Sequence, residues 1–445
     1  MGSHTPREWH QHRHWDVPEA GPQLDESPQA AAETMGSGAG DRLEDPRGGE
    51  RDRPGSMKRS GDDAGVKRHR EDPSGGARTS SRVGPRRWRT TLLGGLALVA
   101  VSFTGCSGGS AGPAWRAVTG LSMFSAATVH DVSSNASGFV AVGSVVTNGV
   151  PNGAIWTSSD GLTWQAVPVD APSATFLRVA HTAGGLVAIG SQCGGGGECV
   201  GSSFWTSPDG TTWTERGGYQ DMIYLGSLAS GGFGVVAAGA DWSTGYPQNP
   251  PDVAAYVSRD GSTWMRAATD AGFKAATIGA VAAGAPGIVA LGNRASSLTA
   301  WTSSDGMTWA AVPAADALGS GEARDMLLHG STVVAVGRDG QDAVGWTSTD
   351  GTSWSRTPSG AAPLQSAVLE RLASTPGLVV AVGKDNAAGA GAVWTSTDGL
   401  AWAKASSIPG DSIDLNAVAA AGTTLVAFGT TANGSIVIVR AQVGS

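Results

Sequence analysis

The stretch AIWTSSDGLTWQAVP, Ala154–Pro168, decides the fold, because its core recurs five more times further along the chain. The recurrences follow the pattern W-T-S-x-D-G-x-T-W at intervals of roughly 45 to 50 residues. Self-similarity at such a period is typical of proteins built from stacked copies of one small unit. The aspartates of the repeat are Asp160, Asp209, Asp260, Asp305, Asp350 and Asp398.

The local chemistry of the repeat predicts a tight turn between two strands. Glycine supplies the positive φ that such a turn requires, and the aspartate carboxylate accepts hydrogen bonds from the turn's own amide groups. The Ser and Thr hydroxyls add further local hydrogen bonds. Tryptophans on both sides, such as Trp156 and Trp164, supply large apolar surfaces for packing. We therefore expect the six aspartates to have a structural role.

A second motif, an apolar strand that ends in glycine, occurs seven times. These strands alternate poorly between apolar and polar residues, which indicates that both faces of each sheet are covered. Four short strands per unit, stacked radially, are typical of a β-propeller blade. The seven segments are FVAVG 139–143, LVAIG 186–190, VVAAG 235–239, IVALG 288–292, VVAVG 333–337, VVAVG 379–383 and LVAFG 425–429.

The two motifs differ in number, and the difference predicts how the ring closes. The last apolar strand has no Asp-Gly turn after it, whereas AWRAV at 114–118 is similar to TWQAV, which follows the first turn. Joining these ends removes free sheet edges. The sequence thus predicts an all-β, seven-bladed β-propeller over residues 114–445, in which the N-terminal strand completes the blade formed by residues 412–443.

The residues before the propeller have the layout of a tail and an export signal. Residues 1–82 are rich in Pro, Gly and charge, which predicts a disordered tail; one hypothesis is that translation starts near Val83. Residues 83–105 combine arginines with an apolar stretch, as export signals do, and an uncleaved single span is the alternative. The ending Phe-Thr-Gly-Cys resembles a bacterial lipobox. The resemblance implies a lipid anchor on Cys106, a tether over residues 106–113 and the extracytoplasmic face of the cell membrane.

The charge and the cysteine content indicate which partners, metals and cofactors the chain can bind. Residues 107–445 hold 14 Lys+Arg and 23 Asp+Glu, so no basic stripe exists for a nucleic acid. In an exported chain, Cys193 and Cys199 are expected to form a disulfide, with a two-thiolate metal site as the alternative. No other spacing of metal ligands occurs, and the absence of a phosphate-binding loop predicts no cofactor. We expect a monomer.

The repeats resemble the Asp-box, or BNR, motif of sialidase-like and photosystem-assembly-factor-like propellers, although one residue between Asp and Gly is missing. The resemblance covers residues 114–445 and implies the fold. A sialidase would also require an Arg-Ile-Pro motif, which is absent, and a Tyr–Glu pair, for which Glu215 and Tyr219 are weak candidates. We therefore expect a non-enzymatic binder of a protein or glycan. The alternatives are a sialidase-like glycoside hydrolase and an assembly factor for a membrane complex.

Two groups of residues are candidates for ligand binding. Aligning the units places Asp131, Arg178, Asp325 and Arg371 in one column, with Arg324 and Glu370 immediately before it, at the starts of innermost strands. These arginines either bind an anion near the channel mouth or pair structurally, Arg178 with Asp131 and Arg371 with Glu370.

The second group lies on the loop 240–252, ADWSTGYPQNPPD, and on the connection before it. Trp242 lies outside the repeat pattern, so blade packing does not explain it. Aromatic and polar residues on such loops suit a sugar or a peptide, whereas the alternative is a loop that packs on itself. Both segments are expected on the face opposite the Asp-Gly turns, beside the cysteine loop. The candidates are Trp242, Tyr246, Tyr219 and Asp221.

Overall fold

The computed structural model describes residues 113–193, 199–220, 222–245, 248–270, 272–312, 317–405, 408 and 413–444. The predicted tail, export signal and lipid-bearing Cys106 lie outside these residues and stay predictions. No helix within the described ranges is long and apolar enough to cross a membrane.

The described chain is almost entirely strand, with two short 3-10 helices at Ser122–Phe124 and Ala362–Leu364. In chain order the strands are β1 Arg116–Ala117, β2 Ala127–Asn135, β3 Gly138–Thr147, β4 Val150–Ser158, β5 Gln165–Val167, β6 Ala174–Thr182, β7 Gly185–Cys193, β8 Cys199–Ser207, β9 Thr214–Gln220, β10 Ile223–Gly231, β11 Gly234–Asp241, β12 Asp252–Ser258, β13 Met265–Arg266, β14 Ala276–Gly284, β15 Gly287–Arg294, β16 Ser297–Ser303, β17 Ala310–Ala311, β18 Glu322–His329, β19 Thr332–Asp339, β20 Asp342–Ser348, β21 Ser355–Arg356, β22 Ala367–Thr375, β23 Leu378–Asp385, β24 Ala390–Ser396, β25 Ala403–Lys404, β26 Ile413–Ala421, β27 Thr424–Thr431 and β28 Ile436–Gln442.

The strands form seven four-stranded antiparallel sheets, so the predicted seven-bladed β-propeller is confirmed. Six sheets consist of consecutive strands, from β2–β5 in the first blade to β22–β25 in the sixth. The first strands of neighbouring blades contact one another and therefore surround the central channel. The apolar strands that end in glycine are the second strands, which are buried on both faces as the pattern predicts.

The seventh blade closes the ring as predicted, in the strand order β1-β28-β27-β26. Arg116 lies opposite Arg440, and the backbone N–H of Val118 donates to the carbonyl of Ile438 at 2.8 Å. The Trp115 side chain is buried in the cluster that contains Val439. Closure therefore joins the two ends of the described chain and leaves the last hairpin with no free edge.

In six of the seven blades, the glycine that ends the apolar strand is explained by the close approach of the innermost strand at a β-bulge. Every innermost strand shifts register by one residue, as between Ala323 and Asp325 opposite Gly337. A Cβ on Gly337 would lie 1.9 Å from the carbonyl oxygen of Glu322. Only glycine allows this approach, so the glycine and the bulge occur together.

The Asp-Gly turns are locked by their own side chains, as the sequence predicts. In the third blade the Asp260 carboxylate accepts from the backbone N–H groups of Ser262 and Thr263 at 2.8 and 2.7 Å. The glycine of each turn packs against the preceding blade, as Gly399 does against Val334. The turns therefore hold neighbouring blades together as well as reversing the chain.

These turns make the protein sensitive to acid. Backbone N–H donors lower the pKa of Asp209 and of Asp260 to about 2, and the pKa values of the other four turn aspartates are lowered too. A carboxylate with a lowered pKa stabilises the fold above pH 4 and loses that contribution as the pH falls. We expect the free energy of unfolding, measured in urea, to fall steeply between about pH 4 and pH 2.

Two partly buried aspartates of the innermost strands oppose this trend without reversing it. Burial raises the pKa of Asp131 and of Asp325, so their protonation on acidification favours the folded state. They are outnumbered by the six turn aspartates. A free energy of unfolding that stays level or rises from pH 4 to pH 2 would contradict the proposed role of the turns.

Candidate functional site

The wheel has two distinct faces. In six blades an Asp-Gly turn joins the third and fourth strands, and we call the face that carries these turns the Asp-turn face. The hairpins between the second and third strands lie on the opposite face, which we call the loop face. The bulges lie in the first half of each innermost strand, which begins at the loop face. The residues that follow the bulges, such as Asp131 and Arg178, therefore lie near the middle of the innermost strands.

The structure brings the predicted column of charged residues together in the channel. A cavity of about 100 Å³ is lined by Asp131, Arg178, Arg324, Asp325 and Arg371. The remaining lining comes from neighbouring residues of these strands and from β10 and β26, for example Ser227 of β10. Residues that are far apart in sequence thus form one polar cavity because six of the seven blades contribute residues from the middle of their innermost strands.

The two aspartates tie neighbouring blades together. Asp131 of the first blade accepts a hydrogen bond from the backbone N–H of Val179 in the second, at 3.0 Å. Asp325 of the fifth blade accepts from the N–H of Leu372 in the sixth, at 2.7 Å. Each aspartate thus contacts the residue that follows an arginine of the column, so Arg178 and Arg371 lie close to negative charge.

Arg324 is the most enclosed cation of the cluster, with a side chain only 2% exposed. Its Nη2 approaches Glu322 at 3.3 Å and its Nη1 lies 3.6 Å from a carboxylate oxygen of Glu370. Its Nε and Nη1 are nevertheless buried without a hydrogen-bond partner, as is Nε of Arg371. Burial lowers the pKa of Arg324 to about 9, so it is still charged at neutral pH.

Arg371 makes its hydrogen bonds to backbone rather than to a carboxylate. Its Nη1 donates to the carbonyl of Glu370 at 2.6 Å and to the carbonyl of Arg324 at 3.3 Å. Arg178 similarly donates to the carbonyl of Leu177 at 2.7 Å. The Glu370 carboxylate approaches Arg324, a contact that alignment of the repeats did not indicate.

The second candidate group is only partly described. Trp242 is half-buried on the loop face, and its backbone N–H donates to the carbonyl of Met222 at 2.9 Å. Tyr219 lies at the loop-face end of β9, whereas Tyr246 and Asp221 lie outside the described residues. The loop 240–252 therefore begins on the predicted face, beside the hairpin between β7 and β8.

The two cysteines of that hairpin stand opposite each other. The register of β7 and β8 pairs Cys193 with Cys199. Residues 194–198 lie outside the described part, and the disulfide stays a prediction. Within the described ranges, no group of three or more His, Cys, Asp or Glu residues is placed to hold a metal ion.

The glycosidase alternative receives no geometric support from Glu215. This residue is exposed on β9, the outermost strand of its blade, whereas the arginines lie on innermost strands. No tyrosine of the described ranges lines the channel cavity. The carboxylates nearest the arginines are those of Asp131, Asp325 and Glu370, and all three are already held by backbone or arginine contacts.

An ion pair recurs on the loop face of several blades and was not predicted from the sequence. At the end of the second strand an aspartate pairs with a base on the outermost strand, as Asp339 does with Arg356. The signal was readable, because the aspartate stands two residues after the glycine of the apolar strand and the base two residues after the repeat's second Trp. The other pairs are Asp241–Arg266 and Asp385–Lys404.

The Asp-turn face carries a rival groove of about 470 Å³ between the first two blades. Its polar lining includes Asn135, Gln165, His181 and Asp209. No arginine or lysine lines it, and none of these groups is among the buried side-chain atoms without a hydrogen-bond partner. The channel cavity therefore has the stronger chemical character of a binding site.

Comparisons with known proteins support the fold. The chain matches no protein-family model, and it matches no curated protein. A structure of catalytically inactive virginiamycin B lyase from Staphylococcus aureus with quinupristin is 8% identical and covers 75% of this chain and 100% of its own, with a TM-score of 0.52.

Two further solved structures are similar at lower scores. YCF48 bound to a D1 peptide is 16% identical, covering 74% of this chain and 97% of its own, with a TM-score of 0.49. A mutant of Aleuria aurantia lectin in complex with α-methyl-L-fucoside is 13% identical, covering 64% and 96%, with a TM-score of 0.40. The lyase structure, the one of these three with a TM-score above 0.5, supports the fold alone at 8% identity, so the ligand of this chain has to be inferred from its own residues.

Proposed function

We propose that this protein is a non-enzymatic, lipid-anchored binding propeller of the Asp-box type, which holds a protein or glycan partner on its loop face. The observation that carries the proposal is the loop 240–252, which begins on the loop face with the half-buried Trp242, a tryptophan outside the blade-forming repeat. Aromatic side chains at such a place suit contacts with a sugar or a peptide.

The different roles of the two faces support this proposal. The Asp-Gly turns are engaged in their own hydrogen bonds and in packing against the preceding blade. Loops on a rigid scaffold are the usual place for recognition. The loop that carries Trp242 begins on the face opposite these turns.

Site-specific photo-crosslinking on intact cells tests which face binds. A photoreactive amino acid is placed at exposed loop-face positions Asn148, Ser243 and Ala387 in one set of variants. The matched control set carries it at exposed Asp-turn positions Leu162, Thr211 and Thr352. We expect crosslinked adducts from the loop-face set and none from the control set. Adducts confined to the Asp-turn set would overturn the proposal.

The hydrolase alternative is tested separately. The purified protein is incubated with a fluorogenic sialoside, and release of the fluorophore is followed. The proposed function predicts no release above that of buffer. Turnover that Arg371→Ala abolishes would replace the binding function with a catalytic one.

A further inference from the structure

We infer that the tether holds the wheel with its Asp-turn face toward the membrane and its loop face directed away from the bilayer. The inference rests on the proposed function in taking the lipid anchor on Cys106 as present. It adds the orientation of the wheel at the membrane surface, and it follows from the direction of the first strand.

The first strand begins on the Asp-turn face. Arg116 of β1 lies opposite Arg440 of β28, and Nε of Arg440 donates to the carbonyl of Asp160 at 2.9 Å. Asp160 belongs to the Asp-Gly turn of the first blade, and a Cβ on Gly161 of that turn would lie 3.7 Å from the side chain of Arg440. The start of β1 is therefore beside an Asp-Gly turn.

The other end of β1 points toward the loop face. β28 runs from Ile436, next to a loop-face hairpin, to Gln442, and β1 pairs with it in the antiparallel sense. The backbone N–H of Val118 accordingly donates to the carbonyl of Ile438, in the loop-face half of β28. Residues 113–115, which precede β1, thus lie on the Asp-turn side of the wheel.

The predicted tether is short compared with the wheel. Seven peptide links separate Cys106 from Pro113, so the chain between them spans at most about 25 Å when fully extended. Because this segment is rich in Gly and Ser, its average end-to-end distance is only about 15 Å. The innermost strands have eight or nine residues, which makes the wheel roughly 25–30 Å thick.

A wheel with its loop face against the bilayer would stretch this tether to its limit. Pro113 would then stand above the lipid by the thickness of the wheel, which equals or exceeds the extended length of the tether. Full extension removes the conformational entropy of a flexible chain. The opposite orientation brings Pro113 close to the bilayer and leaves the tether relaxed, so it is favoured.

Charge decides how closely the Asp-turn face approaches the lipid. The six turn aspartates have lowered pKa values and are ionised at neutral pH. Anionic headgroups repel them within a Debye length of roughly 8–10 Å. Arg116, exposed where the tether joins the wheel, attracts the same headgroups. We therefore expect the edge of the seventh blade to lie nearest the bilayer.

This orientation also favours one kind of partner. The loop that carries Trp242 begins on the loop face, which the tether directs away from the lipid. A protein or glycan that approaches from outside the membrane reaches this loop without displacing lipid. A partner embedded in the same bilayer would lie on the opposite side of the wheel.

Energy transfer to labelled lipid tests the orientation. The full chain, lipidated during expression in bacteria, is purified in detergent and reconstituted into phosphatidylcholine vesicles that contain an acceptor-labelled lipid. Each variant carries a donor dye on one azide-bearing amino acid. Two exposed positions on the Asp-turn face of the blades beside the seventh are Leu162 and Ala401, and the matched loop-face positions of the same blades are Thr147 and Ala387.

We expect about twofold more efficient transfer from Leu162 and Ala401 than from Thr147 and Ala387, because the two faces differ in height by roughly 25 Å. The control is a tether lengthened by about 40 Gly and Ser residues, whose average span of roughly 35–40 Å exceeds the thickness of the wheel. The difference between the faces should then disappear. Thermal unfolding of each labelled variant reports whether it folds.

The outcomes distinguish this inference from the proposed function. Equal transfer from all four positions with the unmodified tether, or more efficient transfer from the loop face, overturns the orientation and leaves the loop-face function standing. Flotation of the vesicles on a density gradient reports the anchor separately. Protein that does not float with the vesicles overturns the lipid anchor, and the orientation with it, whereas crosslinking on intact cells still reports which face binds the partner.

Discussion

Replacing Gly337 by alanine is expected to destabilise the protein by roughly 3 kcal/mol. The new Cβ would lie 1.9 Å from the carbonyl oxygen of Glu322, and the atom in its way belongs to the backbone of the neighbouring strand. The strands cannot separate without breaking the ladder on both sides of the bulge. Urea-induced unfolding, followed by tryptophan fluorescence, measures the loss.

Gly232→Ala is the matched control. Gly232 lies in the exposed turn between β10 and β11, and a Cβ there meets nothing within 4 Å. We expect a change below about 1 kcal/mol, in the stabilising direction. Equal stability of the two variants would show that close approach at the bulge does not explain the glycine that ends the apolar strands.

Trp115→Ala is expected to cost roughly 3–5 kcal/mol and to loosen the ring at its closure. Trp115 is 6% exposed and packs in the cluster formed by the sixth and seventh blades. Its loss weakens the contact that holds the two-residue β1 against β28, which then presents an open edge. Thermal unfolding and size-exclusion chromatography together measure the lower stability and the resulting self-association.

Arg116→Ala serves as the control on the same strand, because Arg116 is exposed and its backbone pairing is unaffected by the side chain. A change within about 0.5 kcal/mol is expected there. If Trp115→Ala unfolds with the same midpoint as Arg116→Ala, closure by the N-terminal strand contributes little to stability.

The sequence was sufficient for the architecture because the architecture is repetitive. Each Asp-Gly turn and each apolar strand marks one blade, and the surplus strand LVAFG 425–429 together with AWRAV 114–118 predicts the closure. Blade packing depends on local motifs that recur. Seven sheets and their order therefore follow from counting motifs.

The sequence predicted only the position of the charged residues along the innermost strands. Alignment of the repeats placed Asp131, Arg178, Asp325 and Arg371 at the same position of their innermost strands. It did not show which of these side chains approach each other. The partners are fixed by the curvature of the ring and by the bulges, which insert Arg324 opposite Gly337. The bulge could have been predicted from the sequence, because Gly337 at the end of the apolar strand accommodates it.

The aspartates of the channel have two structural roles. Asp131 and Asp325 bind backbone N–H groups of the next blade while they neutralise the arginines. The protein thus uses one set of carboxylates for blade cohesion and for neutralising arginines of the channel.

The most direct measurement is a crystal structure of the protein. Our account predicts seven four-stranded sheets, with Trp115 packed beside Val439 of the last sheet. A wheel with another number of sheets, or a Trp115 side chain far from β28, would contradict the account.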